Sequence, residues 1–209
     1  MKPDVVEIYA DGACPSNGRV DARAGIGVFF GTDDRRNLSM PLVVGPQTNQ
    51  RAELASILAA LLRFVDYDDD SAKQQPSGRS EVRLVVISDS SYAVNCLGPW
   101  AARWCRNGWK STSGKPVKNA DLIQAILLLC DKRRKTAPSG ATWRGSVEYE
   151  YIRGHSGVYG NEMADKLAVQ GANSAWPAHS LASGAGFTQG PEEAEGVLET
   201  FTDILRRVR

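Results

Sequence analysis

The chain has 209 residues, 42% of them hydrophobic and 23% charged, which suits one domain with extensions. A chain of this size can bury a core without disulfide or metal staples, and the composition excludes a disordered or fibrous protein. The formal net charge of +1 selects no partner by itself, so any charge argument must come from its distribution.

Val5–Tyr9 is rich in β-branched and aromatic residues and runs into Asp11-Gly12, which predicts a buried strand and a turn. Ala24–Phe30 is a second strand, with Gly25 and Gly27 permitting close backbone approach, and Leu38–Val44 is a third. The short Gly-, Asn- and Asp-bearing connections favour antiparallel hairpins. The period then changes. Thr48 or Asn49 caps a helix reaching about Phe64, with Leu54, Ile57, Leu58, Leu61 and Leu62 on its apolar face. Tyr67–Ser80, acidic and Gly/Pro-bearing, is expected as a surface loop. Val82–Ser88 is a strongly apolar strand ending at Asp89.

Helices are predicted at Ser90–Leu97, Pro99–Arg106 and Asn119–Lys132. Lys135–Ser146 is expected as a second surface loop, Val147–Ile152 as a strand and Asn161–Gln170 as a helix. The Gly/Ser-rich stretch up to Gly190 reads as a linker before an amphipathic helix at Glu192–Val208. The resulting organisation is a core of residues 1–172, a linker at 173–190 and an accessory helix at 191–209. Strands and helices in this order make a mixed sheet flanked by helices, an α/β (α+β mixed) fold.

Between Asp89 and Asp121 there is no Asp or Glu, but Arg103, Arg106, Lys110, Lys115 and Lys118 stand there. Such a block is a polyanion contact or a solvated loop. Cys14, Cys96, Cys105 and Cys130 form no CxxC pair and no zinc-finger spacing. No apolar run is long enough for a membrane span, and no leader precedes the first strand. The expectation is a soluble, intracellular protein with reduced thiols, in the nucleus or cytoplasm.

Two predicted strands end in aspartate, Asp11 and Asp89. Neighbouring strand ends in an open α/β sheet bring such side chains to one rim, where ligands are usually bound. Glu53 lies in the first turns of the helix after the hairpins, and Asp165 in the last core helix. Four converging carboxylates repel one another unless cations lie between them, and dense hard oxygen donors suit Mg²⁺ or Mn²⁺. Taken singly, each aspartate reads first as a turn or cap residue.

The words around these residues are more specific. Tyr9-Ala10-Asp11-Gly12-Ala13-Cys14, Thr48-Asn49-Gln50-Arg51-Ala52-Glu53, Ser88-Asp89-Ser90, Gly154-His155-Ser156-Gly157 and Gly160-Asn161-Glu162-Met163-Ala164-Asp165 follow one another in order. Together they resemble type 1 ribonucleases H over about residues 4–172. The resemblance implies a ribonuclease H-like five-stranded mixed sheet in the order 3-2-1-4-5. It also implies endonucleolytic hydrolysis of the RNA strand of an RNA–DNA hybrid, leaving 5′-phosphate and 3′-hydroxyl ends.

By the same resemblance, Asp11, Glu53, Asp89 and Asp165 hold two Mg²⁺ ions, for which Mn²⁺ can substitute, and His155 assists proton transfer or product release. Asn17, Asn49 and Gln50 match positions that contact the RNA strand. Thr48 and Asn119 match a pocket for a DNA-strand phosphate. Trp100, Arg103 and Trp104 match a basic protrusion that carries the DNA strand, while Trp109 is read as filling a small helical core. In eukaryotic members the pocket has an arginine where this chain has Pro46, so the pocket is weaker here or served by another cation. Many eukaryotic members carry a separate N-terminal hybrid-binding module; none is expected here, so low processivity and a monomer are the expectation. The tail helix either docks on the core or serves a protein partner. A silent nucleic-acid-binding domain and a related nuclease are the competing readings.

Overall fold

In the computed structural model, residues 4–75, 80–175 and 191–208 are described. The chain runs β1 (Asp4–Ala13), β2 (Gly25–Phe29), β3 (Leu38–Pro41), α1 (Asn49–Gln74), β4 (Val82–Ser88), α2 (Ser91–Leu97) and α3 (Pro99–Asn107). It continues through α4 (Ala120–Thr136), β5 (Val147–Tyr151), α5 (Tyr159–Asn173) and α6 (Pro191–Arg207). The five strands form one sheet in the order β3-β2-β1-β4-β5. The hairpin-linked strands β1 to β3 are antiparallel, whereas β1–β4 and β4–β5 are parallel. Parallel neighbours need long crossovers, and helices supply them on this side of the sheet.

Both faces of the sheet are covered. Helix α5 lies on β2 so closely that a Cβ at Gly25 would stand 2.0 Å from Ala172 N, and one at Gly27 would stand 2.1 Å from Ala164 O. Helix α1 lies against β1 and β2, with α4 and α6 behind it. From Arg51 to Leu62 every α1 residue is therefore buried, not only the expected apolar stripe. Helix α6 sets Val197, Leu198, Phe201 and Leu205 into the core, and a Lys132–Glu195 ion pair of 3.1 Å ties it to α4.

Two expected surface loops are not what they seemed. Helix α1 continues unbroken through Asp66–Asp70 to Gln74. Within the second predicted loop, Thr142 and Trp143 are buried, Trp143 at 0% exposure. The reason is mutual. Asp68 accepts from Thr142 N and Oγ1, from Trp143 N, and from the Arg133 guanidinium at 2.7 Å. The Trp143 ring meets Phe64 edge-on at 6.3 Å. Asp68 is thus an interior residue held by a buried arginine, while Asp66, Asp69 and Asp70 are half-buried beside it. Of the predicted linker, residues 176–190, and His179 with them, lie outside the described residues, and Asn173 belongs to α5.

Candidate active site

Strands β1 and β4 are parallel, and the last paired residues are Tyr9 and Ile87. Asp11 and Asp89 each stand two residues further on, so they emerge side by side at the carboxyl rim. Gly12 lets α1 approach β1 there, since a Cβ at that position would fall 2.2 Å from Glu53 N. Helix α5 brings Asp165 to the same place. The four carboxylates line one open cleft of about 410 Å³, together with Cys14, Asn49, His155, Asn161 and Glu162. His155 is exposed and holds φ 51°, a conformation few non-glycine residues adopt; Gly157 follows at φ 80°.

Neutral donors, not cations, hold the carboxylates. Gly12 N donates to Asp11 Oδ1 at 2.7 Å. Glu53 accepts from Asn49 Nδ2 at 2.6 Å and from Ser90 Oγ. Asn161 Nδ2 donates to Asp89 Oδ2 at 3.0 Å, while its own Oδ1 is buried without a partner. Burial, then repulsion from Asp89, pushes Asp11 up to about 8; the Gly12 N–H opposes this, and Asp165 and Glu53 add to it. Burial pushes Glu53 up to about 7 against the lowering effect of Ser90. Among the described residues no three Asp, Glu, His or Cys side chains are already drawn together as around a bound ion. The donor set nevertheless fits hard divalent cations. It is all oxygen, it is negative, and its members repel one another.

The other sequence-predicted residues divide into two groups. Beside the cleft, Asn49 Oδ1 accepts from Cys14 N at 3.1 Å and its backbone N–H donates to Asn17 Oδ1 at 3.4 Å. One N–H and one lone pair of the Asn49 amide thus join the end of β1 to Glu53. Asn17 and Gln50 are exposed beside it. Further along, Thr48 caps α1 by accepting from Arg51 N at 3.3 Å, and Asn119 stands at the start of α4. Trp100, Trp104 and Trp109 form one ladder, with ring centroids 5.7 and 6.2 Å apart. Trp109 therefore joins the ladder as well as packing on the core. Arg103 is exposed on α3. Pro46 is exposed as well, and the guanidinium that contacts Asn119 is that of Arg51, which is buried.

Sequence reading did not single out Ser90 or Asn161 for a role at the site. Both sit inside motif words quoted for their aspartates. A polar side chain one position after Asp89 and another four before Asp165 were the available signal.

The ribonuclease H family model matches residues 3–173. The chain is 40% identical over 166 residues to ribonuclease H of Schizosaccharomyces pombe, covering 79% of this chain and 52% of that protein. It is 37% identical over 169 residues to ribonuclease H1 of Homo sapiens, covering 81% and 50%. The chain thus spans about half the length of these curated relatives. Among solved structures, the PFV RNase H domain superposes with a TM-score of 0.55 at 22% identity, covering 82% of this chain and 96% of that one. That likeness speaks for the fold.

Proposed function

Because the chain belongs to the type 1 ribonuclease H family, we propose that it is a metal-dependent endonuclease hydrolysing the RNA strand of RNA–DNA hybrids. The observation that carries this reading is the convergence of Asp11 from β1, Glu53 from α1, Asp89 from the end of β4 and Asp165 from α5 on one cleft beside His155. A module that only bound nucleic acid would have no use for buried, mutually repelling carboxylates with raised proton affinity.

In this reading Asp11, Glu53, Asp89 and Asp165 hold two Mg²⁺ ions, or Mn²⁺ in their place. When bound, such ions lower the pKa of water and stabilise the attacking and leaving oxygens of an in-line displacement. The protein's own residues supply the rest. Asn49 and Ser90 aim Glu53, and Asn161 aims Asp89. His155, on its exposed turn beside the carboxylates, takes up or delivers a proton. Asn17, Asn49 and Gln50 face the RNA strand, where the 2′-hydroxyl marks RNA and an amide can both donate and accept. Thr48, Asn119, Trp100, Arg103 and Trp104 carry the DNA strand through phosphate contacts and aromatic surface. The products are 5′-phosphate and 3′-hydroxyl ends.

Residues 1–172 form the catalytic domain, and 191–209 are an accessory segment whose helix α6 has its apolar side covered by α1 and α4. We take the protein to act as a monomer in the nucleus or cytoplasm. No described helix is long and apolar enough to cross a membrane.

The test is cleavage of one labelled RNA strand, presented as hybrid, as double-stranded RNA and alone, with Mg²⁺ and with chelator. Metal-dependent cutting of the hybrid alone is the expected result. No cutting, with hybrid binding intact, would reduce the chain to a binding module.

A further inference from the structure

Arg51 is 2% exposed and pairs in bidentate fashion with Asp121, at 3.0 and 2.5 Å. Its Nε donates to the Val44 carbonyl at 2.8 Å. Its backbone N–H donates to Thr48 Oγ1. One buried guanidinium thereby joins the loop before α1 to the start of α4. A charge this well paired and this deeply buried cannot reach a phosphate, so Arg51 organises its surroundings instead.

The network does not stop there. Asn119 holds φ 57°, and its side chain leaves the N-terminus of α4 uncapped. Its Oδ1 accepts from Arg51 at 3.4 Å, and its Nδ2 donates to Tyr92 Oη at 3.3 Å. Tyr92 Oη donates in turn to the Lys118 carbonyl at 3.3 Å. The other side of Tyr92 belongs to the aromatic ladder: its ring meets Trp100 edge-on at 6.4 Å, and Trp100 is 40% exposed. Tyr92 is thus the one described residue that hydrogen-bonds Asn119 and also packs on Trp100.

We propose that Tyr92 is a positioning residue. Its hydroxyl fixes the register between the Thr48–Asn119 pair and the Trp100 end of the ladder, so that the two grip one DNA strand as a single site. This rests on the hybrid-binding reading above and deepens it. Neither the amide nor the hydroxyl is charged, so the coupling contributes geometry and releases no counterions. A rigid two-point grip gains affinity because less ordering is left to be done on binding.

The experiment is a set of binding curves for a labelled hybrid, by anisotropy with chelator present, over a range of salt. Tyr92→Phe keeps the ring on the ladder and removes only the hydroxyl, and an unchanged melting curve would establish that the fold is kept. The expected loss is about threefold to tenfold in affinity, the worth of an ordinary hydrogen bond, with the salt slope unchanged. Trp100→Ala and Asn119→Ala, combined, should be non-multiplicative in the native background and multiplicative in the Tyr92→Phe background. Native affinity in Tyr92→Phe, or multiplicative effects in both backgrounds, would overturn the proposal while leaving hybrid binding intact. A native chain that did not bind the hybrid would remove the functional reading and the proposal together.

Discussion

Two regions of this molecule bury aspartate, and they treat it oppositely. At the carboxyl rim, Asp11 is 6% exposed among other carboxylates, and burial and repulsion lift its pKa to about 8. In the interior, Asp68 is 0% exposed, yet its pKa lies below the ordinary value. Burial pushes Asp68 up too, but Thr142, Trp143 and Arg133 surround it with donors and outweigh that push. The difference teaches that burial alone does not mark a functional acid. The informative condition is burial without a compensating cation, because that charge is left to be balanced by something the protein must bind.

The largest effects should separate the regions cleanly. Asp11→Asn should lower hybrid cleavage by roughly a thousandfold or more while hybrid binding persists, since a transition-state interaction is removed and the groove remains. Near-native turnover in that variant would show that the rim carboxylates are not catalytic. Asp68→Ala should do the reverse. It takes from the buried Arg133 its fully buried partner, leaving it Asp69, and removes the acceptor of the Thr142 and Trp143 N–H groups. The cost is about 3–5 kcal/mol, or about 10 °C of melting temperature in a chain of this size, with the specific activity of folded enzyme retained. A melt unmoved by that change would mean that the Asp68–Arg133 contact contributes nothing to stability.

A gentler test sharpens the comparison through pH. Glu53 and Asp11 titrate near 7 and 8 in the fold, above their ordinary values of 4.5 and 3.8. The metal-free fold therefore binds more protons than the unfolded chain in that range. The stability these groups contribute is present at low pH and lost as pH rises through about 7 and 8. With chelator, melting temperature should fall from weakly acidic to weakly alkaline pH; Mg²⁺ should restore it mainly at the alkaline end, and Asp11→Asn should flatten the profile. For Asp68, whose folded pKa is lowered, the contribution is present above the ordinary 3.8 and is lost only on further acidification. A chelated protein whose melting temperature rose with pH instead would contradict the rim electrostatics.

The smallest effect concerns the cations. Arg51 and Arg133 are spent on buried aspartates, whereas Arg103 and Arg106 are exposed on α3. Replacing both exposed arginines with alanine should weaken hybrid binding and reduce the salt slope by about 2. An unchanged slope would take them out of the phosphate contacts.

Much of this was legible in the sequence. The apolar run leading to Asp11, the strand-ending Asp89, the helix carrying Glu53 and the helix carrying Asp165 follow from periodicity, and their neighbouring words pointed to the family. The turn expected at Asp11-Gly12 is instead strand, since β1 stays paired with β2 as far as Ala13. Those features are local: a strand's apolar run and the residue that ends it lie within a few positions of each other. Ser90 and Asn161 stand within these words and Tyr92 just after one of them, but their partners across space were not visible.

Tertiary structure alone decided what the sequence left ambiguous or suggested wrongly. Asp66–Asp70 and Lys135–Ser146 are polar enough to read as solvated loops, yet Asp68 and Trp143 are wholly buried, because each stretch supplies what the other must bury. Whether α6 docked or stayed free depended on an apolar face of α1 and α4 more than fifty residues away in sequence. The physical reason is the same in each case. Composition reports the cost of burying a segment, and only the partner across space determines whether that cost is met.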